Sequence, residues 1–152
     1  MIKKNLIKIL IILFFVYGCG YSPVYTNKNS NFVITQLSTT GDNKLNRIII
    51  AKLANYKDTN ANKKLNLTIN TALEKKVSSK DAKGNPKTYR INLKSNILVK
   101  DSKGNEKNKL FIKSIDYNNR NNKSDLKKLE NETSKNLAEK ISDEIIIYLQ
   151  SI

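Results

Sequence analysis

The chain has one cysteine, Cys19, and no histidine. The thiol is therefore the outstanding nucleophile, with no imidazole to serve as its base. Ser-His-Asp and Cys-His arrangements and histidine-containing zinc sites are excluded outright. A single cysteine also excludes an intramolecular disulfide. The glycines Gly84 and Gly104 stand alone in turn-like sequence, with no Gly-rich phosphate loop around them. Carboxylate neighbours such as Asp143-Glu144 have lysines close by in sequence, as on a solvated helix surface. Covalent chemistry on a substrate would have to come from Asp, Glu, Lys or Tyr alone, and we expect no enzyme, no metal and no diffusible cofactor.

The setting of Cys19 gives it a different chemistry. The first eight residues carry three lysines and no acid, and Ile9 to Val16 is an unbroken apolar run. A positive stretch followed by a short apolar stretch is the pattern of a cleaved export signal. As a helix, the run spans only about half of a ~30 Å hydrocarbon core, which disfavours a permanent transmembrane anchor. Val16-Tyr17-Gly18-Cys19 resembles a lipobox: an aliphatic residue three positions before the cysteine and a small one immediately before it. In that motif a diacylglyceryl group is added to the thiol, cleavage follows Gly18, and the freed amine is acylated. We therefore expect a signal peptide over residues 1–18 and covalent N-acyl and S-diacylglycerol lipid on Cys19. Such chains contribute roughly 0.8 kcal/mol per buried CH₂, so the mature protein would be held at a membrane by lipid alone. Gly20 occupies the place where an inner-membrane lipoprotein often carries Asp, which points to the outer membrane, periplasmic side.

The signal holds three of the 28 basic residues and none of the 13 acidic ones, which leaves 134 residues with a net charge of +12. That is one ordinary domain. The charge implies an anionic partner, and for an exported, tethered domain this means lipid or glycolipid, with no nucleic acid expected. Abundant Lys, Asn and Ile together are also what AT-rich coding produces without selection for charge, and both explanations stand at this point.

Residues 19–31 have no helical period and include Pro23, so they read as a lipidated tether. The domain, 32–152, begins with a strand over Phe32–Leu37. Leu45, Ile48, Ile49, Leu53 and Tyr56 then recur at helical spacing over about Asp42–Tyr56. Leu65, Leu67, Ile69, Thr71 and Leu73 alternate with polar residues as in a half-buried strand. Ser78 to Pro86 supplies a reversal, Tyr89 to Val99 a second alternating strand, Asp101 to Asn105 another reversal, and Leu110 to Tyr117 a last strand. Leu126, Leu129, Leu137, Ile141, Ile145, Tyr148 and Leu149 form one stripe of a C-terminal helix that starts at an N-cap placed at Ser124. The expected fold is an α+β two-layer sandwich of order βαβββα, with a four-stranded, mainly antiparallel sheet and two helices on one face.

One sheet face is thus left uncovered. If Tyr89, Ile91, Leu93, Ile97 and Val99 face the helices, Arg90, Lys94 and Lys100 point to that open face. Lys109 and Lys113 share one parity on the last strand and are candidates to continue it, although the same parity includes Phe111 and Ile115. Guanidinium and ammonium groups so arranged suit phosphate, Arg by forking two hydrogen bonds onto it.

Five stretches carry a resemblance across most of the mature chain. They are Cys19-Gly-Tyr-Ser-Pro-Val-Tyr25, Tyr89-Arg-Ile-Asn-Leu93, Lys100-Asp-Ser-Lys-Gly-Asn105, Ser114-Ile-Asp-Tyr-Asn118 and Asn136-Leu-Ala-Glu-Lys-Ile141. In this order the chain resembles the LPS-assembly lipoprotein family LptE, in its short alphaproteobacterial form. The resemblance implies a plug inside the outer-membrane β-barrel LptD that helps the barrel fold and helps place lipopolysaccharide in the outer leaflet. It also implies direct lipopolysaccharide binding through basic residues, for which Arg90, Lys94, Lys100, Lys109 and Lys113 are the candidates. A different periplasm-facing lipoprotein, such as a secretion-system or cell-wall accessory domain, is the alternative.

Overall fold

The structure is a computed structural model that describes residues 30–57 and 61–152. The export signal, Cys19 and the tether as far as Asn29 lie outside the described residues. Five elements of regular structure and a second helix follow in the expected order: β1 (Phe32–Gly41), α1 (Asn43–Leu53), β2 (Lys63–Lys80), β3 (Pro86–Asp101), β4 (Glu106–Asn118) and α2 (Lys123–Ser151). The sheet runs β1-β2-β3-β4, with β1 parallel to β2 and the other pairs antiparallel. Both helices pack on one face, α1 over β1 and β2, α2 over β3 and β4, and the helices touch each other.

In β1, Phe32 and Ile34 point inward, and then the parity changes. Three residues, Ile34 to Gln36, oppose only Leu65 and Asn66 of β2, so a bulge at Thr35 re-aims the strand and Leu37 comes to face the core. The Thr35 hydroxyl fills the gap by bonding the Leu65 carbonyl at 3.2 Å and Asn66 Oδ1 at 2.5 Å. Gly41 ends the strand at φ +89°, a left-handed conformation that residues with a Cβ avoid. Asp42 then caps α1, its carboxylate accepting from the Leu45 amide at 3.0 Å. The expected helix to Tyr56 is α-helical only to Leu53 and finishes as a 3-10 turn, Ala54–Tyr56. That turn stacks Tyr56 on Phe32, ring centroids 5.1 Å apart.

The strands are longer than their alternation suggests, because pairing continues into the turns. β2 and β3 zip as far as Lys80 opposite Pro86, so the reversal is five residues rather than the nine between Ser78 and Pro86. Both hairpins close on the same sequence pattern, Asp-Xaa-Lys-Gly-Asn: residues 81–85 and 101–105. In each, the aspartate Oδ1 accepts the amides of the residues two and four further on at 2.8–2.9 Å. The asparagine side chain donates to the other carboxylate oxygen. Gly84 and Gly104 supply the positive φ that such a turn needs. The last strand likewise extends beyond Leu110–Tyr117 on both sides.

The N-cap of α2 is Asn122, which accepts from the Ser124 amide at 2.8 Å, one residue pair earlier than the Ser124 cap read from sequence. The expected stripe of α2 is buried at Leu137, Ile141, Ile145 and Leu149. These meet Ile91, Leu93, Ile97, Val99 and Phe111 of the sheet in one core that also takes in Leu45, Ile49 and Leu53 of α1. Each such side chain, fully buried, contributes roughly 1.5–3 kcal/mol, which is what fixes both helices to this face. Among the described residues no helix is long and apolar enough to cross a membrane.

Candidate functional site

Strand β3 alternates as expected. Ile91, Leu93, Ile97 and Val99 are buried under the helices, and Arg90, Lys94 and Lys100 lie on the open face. The register across the sheet, however, sets a carboxylate beside each of these cations. Arg90 lies opposite Asp116 and forks onto both its oxygens at 2.7 Å. Lys94 reaches Glu74 of β2 at 2.8 Å, and Lys100 reaches Glu106, opposite it on β4, at 3.1 Å. The fork from Arg90 holds the Asp116 carboxyl below its usual range and raises the guanidinium in turn. The hydrogen bond from Lys94 lowers Glu74 in the same way. Lys76 shares Glu74 with Lys94 at 3.6 Å, and the rest of the face includes amides and hydroxyls, with Leu110 and Ile112 half-exposed on β4.

Lys109 and Lys113 do not continue this face. They lie directly opposite Ile97 and Leu93, which face the helices, and residues opposite one another in a ladder share a side. Phe111 between them enters the core and fixes that parity. Lys113 pairs with Glu144 of α2, and Lys109 stands at the outer margin of β4 with no ion pair among the described residues. The five candidates are therefore split between two faces, four of them neutralised by an acid.

An unneutralised cluster lies at the end of the sheet formed by the β2–β3 turn. Asn119 ties the loop before α2 to this turn: its amide donates to the Lys87 carbonyl and its side chain to the Pro86 carbonyl, both at 2.8 Å. Arg120 and Lys123 are thereby brought to the side of Lys80, Lys83 and Lys87. All five are exposed, and none has an ion pair among the described residues. The one acid in the turn, Asp81, is turned inward onto backbone amides, and the Asn85 hydrogen bonds lower its pKa. Lys80 and Lys83 fall within the Ser78–Pro86 reversal expected from sequence, and Lys87, Arg120 and Lys123 lie outside every expected site. Their signal was the spacing of three lysines around Gly84.

The neighbouring helix side is structural. Tyr117 donates to Glu130 at 2.9 Å and stacks on Tyr89, and Lys75 pairs with the same Glu130 and sits 4.0 Å from the Tyr89 ring centroid. Burial first, and then Glu130, push the Tyr117 phenol up, so it stays protonated. A shallow groove along α2 collects Glu139 and Asp143, but Asp143 is bonded to Lys52 at 2.6 Å and both face solvent.

No family model and no curated protein matches this sequence. Solved structures do match its fold. Rare lipoprotein B from Shewanella oneidensis superposes with a TM-score of 0.59 at 21% identity, covering 76% of this chain and 94% of that one. A minor lipoprotein from Acinetobacter baumannii gives 0.59 at 11% identity, over 81% and 92%. This chain has the fold of these bacterial lipoproteins. Lipoprotein B from Nitrosomonas europaea agrees, with a TM-score of 0.57 at 11% identity over 82% and 88%.

Proposed function

We propose that the chain is an LptE-type lipoprotein, anchored by lipid on Cys19 to the periplasmic side of the outer membrane. There it acts as plug and assembly factor of the LptD barrel. The observation that carries this reading is the pairing of a lipobox-like cysteine with a domain whose fold is that of solved bacterial lipoproteins. The resemblance across the five sequence stretches supplies the finer identity. A sheet with one bare, largely polar face also suits a plug, because such a face can lie against a polar barrel lumen with most of its charges already paired within the sheet. Lipopolysaccharide contact is assigned to the turn-end cluster Lys80, Lys83, Lys87, Arg120 and Lys123, with Arg90 at its inner margin. Unpaired cations on a rigid hairpin can engage phosphate without first giving up a partner.

The test is purification of the full chain from outer membrane in detergent. A one-to-one complex with a β-barrel, and a mature N terminus at lipidated Cys19 by mass spectrometry, are the expected results. Recovery only with cell-wall material, or with a secretion assembly, would replace this reading by that of an accessory lipoprotein.

A further inference from the structure

The opposite end of the sheet, where the chain enters β1, carries a second group of unpaired cations. Lys63 and Lys64 open β2 directly opposite Phe32 and Val33. Lys103 sits in the β3–β4 turn and Lys107 follows it on β4. Because Leu65 pairs with Asp101, these four belong to one end of one rigid sheet. None of them has an ion pair among the described residues. The nearby acids are engaged: Asp101 is turned onto the amides of its own hairpin, and Glu106 is bonded to Lys100.

Two further features mark this end. Asn31 donates to the Gln150 carbonyl at 3.0 Å, which places the start of the domain against the last turn of α2. One turn back on that helix, Ile147 is half-exposed. The chain also enters the domain here, and Ser30 follows Cys19 by eleven Cα-to-Cα steps, a reach of roughly 36–40 Å at full extension.

We infer that this end of the domain docks on a membrane surface by binding anionic phospholipid headgroups through Lys63, Lys64, Lys103 and Lys107. The occupant follows from chemistry and position. The lysines form no pocket and no fork, and flexible ammonium groups spread over a strand end fit laterally mobile phosphates better than one fixed ligand. Basic residues near an anionic leaflet add attraction roughly one by one, and the effect fades within a Debye length, so it acts on the end that meets the surface and is strengthened where a tether keeps that end close.

The test uses the chain from Gly20 to Ile152, which retains the whole described core because that core begins at Phe32. It is sedimented with phosphatidylcholine vesicles with and without phosphatidylglycerol, in low and high salt. The expected result is binding only to the anionic vesicles, released by salt, and weakened about tenfold or more in K63E/K64E/K107E. K127E/K128E/K140E, an equal charge change on exposed positions of α2, should leave binding unchanged. Thermal unfolding confirms that each variant is folded, and K63Q/K64Q/K107Q replaces the first triple if it is not. No binding by the unaltered chain, or equal loss in both triples, overturns the proposal. The tested chain lacks both the anchor and the barrel, so the result is independent of whether lipidation or plugging holds.

Discussion

Arg90 and Asp116 face each other across β3 and β4, and both carboxylate oxygens are taken by one guanidinium. The charge that the sequence offered to a phosphate is therefore already spent within the sheet. Asp116→Asn keeps the shape and frees it. Lipopolysaccharide titration should show tighter binding for Asp116→Asn, and a smaller loss for Arg90→Ala than for K83E/K87E/R120E. The reverse order for the last two would return the binding role to the open face.

Gly41 holds the junction between β1 and α1. A Cβ there would lie 2.0 Å from the Thr71 carbonyl oxygen, an acceptor for the Asp42 amide, in addition to the left-handed φ. Gly41→Ala should cost roughly 2 kcal/mol or more in urea unfolding. Gly104→Ala, with the same sign of φ but open space, should cost only about 1–2 kcal/mol. Equal costs would show that the close approach to Thr71 is unimportant.

Thr71 and Ser95 are opposite one another on β2 and β3, almost wholly buried, and neither hydroxyl has a hydrogen-bond partner among the described residues. A buried unpaired hydroxyl is a standing penalty. Thr71→Val, nearly isosteric, should raise stability by about 1 kcal/mol. A lower unfolding midpoint for this variant would mean that the hydroxyl is satisfied in solution.

Acid should loosen the molecule through the same carboxylates that organise it. Glu74 and Asp116, bonded to Lys94 and Arg90, and Asp81 and Asp101, bonded to turn amides and asparagines, all have lowered pKa values. With the folded value below the unfolded one, the unfolded chain takes up protons first as pH falls. Their stabilisation is thus complete above the ordinary carboxylate range and is lost as pH drops through the folded values. A melting series should be level near neutrality and fall on the acid side, less steeply in Asp101→Asn. A variant with the full acid dependence would exclude the turn as a contributor.

The element order was legible because alternation in Leu65–Leu73 and Tyr89–Val99 and the stripe of α2 each show one dominant period. The bulge at Thr35 was not, since one inserted residue leaves no compositional trace. The side taken by Lys109 and Lys113 was ambiguous from alternation, yet the repeated Asp-Xaa-Lys-Gly-Asn turn contained the answer. Once that turn is known to set Lys100 against Glu106, counting along β4 puts Phe111 inside and both lysines with it. Glu74 and Asp116 could not be seen as partners of Lys94 and Arg90, because only the register brings together residues 20 and 26 positions apart.

The repeated turn also bears on the order in which the chain acquires structure. β2, β3 and β4 need only two tight local closures, each with its own side-chain clasp, whereas β1 must find β2 in parallel across an intervening helix. Sequence-local pairing is the faster event, so the central meander serves as a template on which the flanking segments condense. The first strand of the domain therefore settles among the last, although it precedes the rest of the sheet in the chain.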